Sequence, residues 1–117
     1  MTWDGFYAGY MSGLNGQGFA MFVFANGVIV GSDPLGVEFD GTYTTLQDGS
    51  LKGDLKVKIP AGGVVIQGAT AGPSGMTYHV PLAFAADVFA FDFLKIETPL
   101  GPVNLRMKKL REWGDSQ

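Results

Sequence analysis

The sequence has no cysteine and a single histidine among its 117 residues. The first absence excludes disulfides, thiolate nucleophiles and zinc–thiolate sites, and it suits a reducing, cytoplasmic setting. The second leaves His79 as the only imidazole, so any metal site would have to be built on carboxylates. Charge is also sparse: 16% of residues are Asp, Glu, Lys or Arg, with a formal net charge of -3. A nucleic-acid binder normally carries a basic stripe, so no nucleic-acid partner is expected. Long apolar runs are missing too. The longest, Phe19–Ala25 and Val88–Phe91, fall far short of the roughly 20 residues that span a bilayer as a helix. Residues 1–20 lack the basic start and unbroken apolar run of a targeting segment. The expectation is one soluble, cytoplasmic domain over 1–117, with no membrane span.

What the chain does have is glycine and aromatics: eighteen Gly beside nine Phe, four Tyr and two Trp. Glycine costs about 1 kcal/mol in a helix interior, so the mixture predicts strands joined by tight turns. Gly5–Met11 and Gly18–Ala25 read as strands separated by a loop at 12–17. Asn26-Gly27 is the strongest two-residue hairpin signal in the chain, with Val28–Gly31 as the return strand. A two-residue turn there sets Ala25 opposite Val28 and Val23 opposite Val30. One face of this hairpin then carries Phe19, Met21, Val23, Ala25, Val28 and Val30; the other carries Ala20, Phe22, Phe24, Ile29 and Gly31. Both are apolar, whereas a sheet over one core shows one polar face. The second face is expected to be covered by another segment or by a second copy of the chain; the alternative is a few exposed phenylalanines. Phe22, Phe24 and Ile29 are accordingly expected at a dimer or partner surface.

Val37–Thr45 and Leu51–Ile59 alternate cleanly and flank Asp48-Gly49, which predicts a hairpin. A two-residue loop would put Glu38, Asp40 and Thr42 on the same face as Leu55, Val57 and Ile59, burying carboxylates at high cost. A three-residue loop, Gln47-Asp48-Gly49, instead sets Phe39 against Val57 and Gly41 against Leu55, with Gly49 in the left-handed position. That loop is predicted, or failing it a bulge. Pro60–Gly75 is glycine-rich with two prolines, and Val64–Gln67 is a candidate short strand inside it. Met76–Leu82 reads as a strand ending at Pro81, 83–88 as a short helical turn or loop, and Asp92–Thr98 as a strand. Pro99–Pro102 is a turn, Val103–Leu110 a last strand with Arg106 and Lys108 on its wet face, and Glu112–Gln117 a tail. About eight strands and no long helix predict an all-β sandwich or barrel.

The residues offer little chemistry. GLNGQG (13–18) and GSDPLG (31–36) lack the order and the following helix that a phosphate-cradling loop needs, so turn geometry accounts for them. His79 with Asp87 or Asp92 and Ser74 or Ser50 has the residue types of a dyad and nucleophile, but no spacing proposes it; between Tyr78 and Val80 it reads as structural. Asp33 before Pro34 is a turn residue. Glu38 and Asp40 lie about 7 Å apart on one strand face, where a solvated face is the ordinary outcome and a weak cation the alternative. Trp3 and Trp113 fit a lid over a barrel end or plain packing better than stacking on a ligand. No catalytic residue, metal or cofactor is expected. The interior of an eight-stranded barrel is either filled by side chains or holds one small ligand. Phe39, Gly41, Tyr43, Leu55 and Val57 are the candidate lining, with Gly41 and Gly53 leaving room.

Asp4-Gly5-Phe6-Tyr7, Gly16-Gln17-Gly18, Asn26-Gly27, Gly31-Ser32-Asp33 and Gly41-Thr42-Tyr43 occur in an order that resembles the small β-barrel family typified by GrlR. GrlR, its best-known member, is a negative regulator of type III secretion. The likeness covers the first half of the chain; Thr98–Pro102 is the most distinctive element of the second. The resemblance implies an eight-stranded antiparallel, lipocalin-like barrel with at most one short helix. It also implies a non-enzymatic regulator that forms a homodimer and holds a protein partner such as a transcriptional activator through an acidic loop. A lipid in an apolar barrel interior belongs to the same picture. The corresponding loop here, Thr44–Ser50, has Asp48 as its only acidic residue, which places Asp48 at the implied partner surface.

Overall fold

A computed structural model of the chain describes residues 3–14, 16–64, 70–87 and 93–114. Eight strands form one sheet: β1 (Gly5–Gly13), β2 (Gly16–Ala25), β3 (Val28–Ser32), β4 (Glu38–Thr45), β5 (Leu51–Ile59), β6 (Met76–Phe84), β7 (Leu94–Ile96) and β8 (Val103–Glu112). Their order is β6-β5-β4-β3-β2-β1-β8-β7. Every pairing is antiparallel. The chain therefore runs up and down, and pairing of β1 with β8 curls the sheet into a nearly closed barrel with β6 and β7 at its two margins. This is a lipocalin-like architecture. None of the described residues is helical, and so none forms a helix able to cross a membrane.

Turn chemistry sets the register. Asn26 and Gly27 take φ of 54° and 82°, the mirror-image turn that matches strand twist, and Ala25 faces Val28 while Val23 faces Val30. Between β4 and β5 the predicted three-residue loop forms. The Leu46 amide donates to the Ser50 carbonyl at 2.8 Å and the Gly49 amide to the Leu46 carbonyl at 3.0 Å. Gly49 sits at φ 87°, and Phe39 faces Val57. Glu38 and Asp40 are thereby outside, opposite Lys58 and Lys56 in register.

The hairpin of β2 and β3 is turned the other way from the expectation. Phe22, Phe24 and Ile29 are buried in the core, at 6%, 2% and 1% exposure, while Phe19, Met21, Val28 and Val30 face outward. The expected dimer surface is thus the inner face. The deciding contact is at the Phe22 ring: a side-chain carbon on Gly9 or Gly31 would lie 2.7 or 2.6 Å from it. The two glycines leave room beside their own strands for that ring inside the barrel.

Other boundaries also move. Ser12 and Gly13 pair with Gln17 and Gly16 where a loop was expected, because backbone pairing needs no apolar side chain. β6 runs through Pro81 to Phe84, so Ala83 and Phe84 are strand and 85–87 is not helical. A proline is tolerated on a marginal strand, where one side of the backbone needs no ladder partner. β7 is shorter than expected, and Glu112 belongs to β8. Val64 makes an isolated bridge to Thr70. Residues 65–67 of that candidate strand, residue 88 of the candidate turn, Asp92 and 115–117 lie outside the described residues.

Candidate functional site

The inward-facing side chains form two different populations at the two ends of the barrel. At the end holding the β2–β3 turn and the β4–β5 loop, the interior is plugged. Trp3 is 5% exposed, donates its indole N–H to the Gly49 carbonyl at 2.9 Å, and packs on Phe84 with ring centroids 5.9 Å apart. Tyr7, fully buried, donates to the Trp3 carbonyl at 2.6 Å and tilts against Phe24 at 4.9 Å. The Tyr43 hydroxyl donates to Asp4 Oδ1. Burial, and then the hydrogen bond to this carboxylate, push the Tyr43 phenol up to about 12; burial pushes Tyr7 up as well, with the charge of Glu112 adding to it. A β-bulge at Leu110 sets Lys109 opposite Tyr7 while Arg111 faces Phe6. Lys109 Nζ lies 2.7 Å from Glu112 Oε2 and 5.9 Å from the Tyr7 ring centre.

The other end is hollow. A cavity of about 370 Å³ runs into the barrel from the side of the β1–β2, β3–β4, β5–β6 and β7–β8 connections. Phe22, Phe39, Leu55, Val57, Val80, Leu82 and Leu105 form its walls, and Leu35 and Val64 stand at its rim, 76% and 62% exposed. The volume is within the range of small-molecule pockets, about 300–1,000 Å³. Its polar members are Gln17, Asp33, Tyr78 and Thr98. Asp33 is engaged in its own turn: Oδ1 accepts the amides of Leu35 and Val37, each at 2.9 Å.

Three of the five residues expected to line the interior do so: Phe39, Leu55 and Val57. Gly41 and Tyr43 do not. A carbon on Gly41 would lie 2.4 Å from the Asp54 carbonyl, so the position is occupied by close approach of β5 and opens no space. Gly53 is closed in the same way by β4. Tyr43 belongs to the plugged end through Asp4. Unanticipated are the walls from β6 and β8, Val80, Leu82 and Leu105, although the alternation of Tyr78, Val80 and Leu82 was a readable signal. Asp48 is exposed, and its Oδ1 accepts both the amide and the hydroxyl of Ser50, which hold its carboxyl below the usual carboxylate range. His79 lies on the outer face, 3.2 Å from Asp54 Oδ2, and is absent from the cavity lining; neither Asp87 nor a serine is its partner here. Among the described residues no three of His, Asp and Glu gather as a metal site. Trp113 packs outside on Phe6, centroids 5.5 Å apart.

Comparison with known proteins adds no assignment: no family model matches the chain, and neither a curated protein nor a solved structure matches it.

Proposed function

We propose that this chain is a non-enzymatic binding protein that encloses an apolar small molecule in its barrel. The observation that carries the reading is the cavity of about 370 Å³, walled by apolar side chains, stopped at one end by Trp3 and rimmed at the other by exposed Leu35 and Val64. Burying an apolar ligand there releases about 25 cal/mol per Å² removed from water, on the ligand and on the wall alike. The only imidazole stands outside, so the hollow holds hydrophobic contact and little acid–base chemistry. The cysteine-free sequence suits the cytoplasm, where we place the protein. Native mass spectrometry of the purified protein tests the reading: a retained apolar molecule that survives desalting supports it, and a barrel that neither retains nor takes up such a molecule refutes it.

A second reading, regulation by protein contact as a homodimer, is favoured by the outer face of β1–β3. Tyr10, Phe19, Met21, Val28 and Val30 are each about two-fifths to one-half exposed there and form one stripe through the register. On one side of the stripe β8 presents Arg106, Lys108 and Arg111; on the other β4 presents Glu38 and Asp40, with the lysines of β5 beyond. A two-fold axis parallel to the strands would set β8 of one copy over β4 of the other, apolar on apolar and basic on acidic. The acidic loop of the GrlR-like pattern is reduced to Asp48, whose carboxylate is engaged by Ser50, so this stripe rather than that loop supports a partner.

A further inference from the structure

We infer that the cavity takes uncharged apolar molecules and discriminates against ligands ending in a carboxylate or phosphate. The inference rests on the proposed binding reading and narrows its ligand class. An amphiphile entering the barrel leaves its polar end at the open mouth, and an anionic end there needs a cation or a set of free donors to replace its water. Among the described residues the mouth has no cation, and apart from Thr98 its side-chain donors are the neutral Gln17 and Tyr78. Among the described residues that line the cavity there is no Lys, Arg or His. The one carboxylate, Asp33, is an anion itself, and its Oδ1 already accepts two amides, 2.9 Å each. The Thr98 hydroxyl is committed to its own turn, donating to the Gly101 carbonyl at 2.6 Å.

The connections at this end continue the pattern. Their described residues, 12–14, 16–18, 60–64 and 70–75, include no charged side chain. Glu97 beside the β7–β8 turn is acidic; its nearby Lys95 lies 3.4 Å from it in an ion pair. The basic side chains of the barrel are elsewhere: those of β5 and β8 stand on the outer face, and Lys109 lies at the plugged end with Glu112. An anion at the mouth would therefore lose hydration, meet a carboxylate and gain no counter-charge. A hydroxyl end would lose little.

The test is displacement of a neutral fluorophore, aminoanthracene, from the full chain near neutral pH. The competitors are decanol, below its solubility limit, and decanoate and decyl phosphate, each below its micelle concentration. Decanol is expected to displace it, and both anions are expected to compete at least about tenfold more weakly. A second measurement uses Leu35→Lys, a substitution at an exposed rim position that leaves the core intact. It is expected to shift the decanoate-to-decanol affinity ratio several-fold toward decanoate. Decanoate or decyl phosphate equal to decanol overturns the inference, as does a Leu35→Lys protein with an unaltered ratio; in both cases the cavity remains a binding site. Failure of aminoanthracene and of every competitor to bind refutes the binding reading itself.

Discussion

Replacing Trp3 by alanine removes the ring that stops one end of the barrel, its hydrogen bond to Gly49 and its packing on Phe84. The expected cost is about 3–5 kcal/mol, measured as a fall in the urea midpoint at unchanged slope. Gly49→Ala tests the loop below it. At φ 87° a side chain is strained, and its carbon would also meet the Ala86 side chain at 3.3 Å, so a loss of about 1 kcal/mol or more is expected. Tyr43 gives a pH signature. Its folded pKa, raised to about 12 from 10.0 by burial and by the Asp4 carboxylate, means that the unfolded chain loses this proton first. Stability is then fully present below pH 10 and declines as the pH rises toward 12, with Tyr7 acting in the same direction. Tyr43→Phe is expected to flatten that alkaline decline in denaturant melts and to remove one late-ionising phenol from the absorbance titration. An unchanged decline would place the alkaline sensitivity elsewhere.

At the scale of the element, the turns were legible and the faces were not always so. The β4–β5 hairpin could be registered from sequence because one parity buried Glu38 and Asp40, and that cost left the three-residue loop or a bulge; the loop forms. The β2–β3 hairpin offered no such asymmetry, since both its faces are apolar; the inward glycines at 9 and 31, which seat Phe22, decided it. β6 extended past Pro81 because it lies at a margin of the sheet, a position that no local pattern announces. The outward face of β2–β3 carries the element-scale prediction. Val30→Lys, at 53% exposure, is expected to leave stability within about 0.5 kcal/mol and to sediment as a monomer where the unsubstituted chain sediments as the proposed dimer. Retention of the dimer would show that copies meet elsewhere.

The whole molecule is an asymmetric barrel, plugged by aromatics at one end and hollow at the other. Leu82→Trp fills the hollow from β6, where Leu82 lines the wall. Overpacking a filled core costs about 1–3 kcal/mol; here the added ring has space, so the melting temperature is expected to hold within a few degrees while aminoanthracene affinity falls at least about tenfold. A protein that keeps full affinity would move the ligand out of this cavity. Three of the seven wall residues named above, Phe39, Leu55 and Val57, were within reach of the sequence through their alternation. Tyr43 shares that alternation yet lies at the other end, because alternation assigns a side chain to the inside without assigning its height along the barrel axis.

Local backbone chemistry made the sequence sufficient for the all-β class, for the Asn26-Gly27 and Gln47–Gly49 turns and for the register of β4 on β5. Each depends on neighbours in the chain and on the cost of burying charge. Which apolar face of β2–β3 turns inward, which glycines leave room and which are closed by a crossing strand, and whether the interior fills were decided only by tertiary structure. Those outcomes depend on side chains far apart in sequence competing for one volume: Phe22 between Gly9 and Gly31, Trp3 on Phe84, and the apolar walls of β2, β4, β5, β6 and β8 around the hollow.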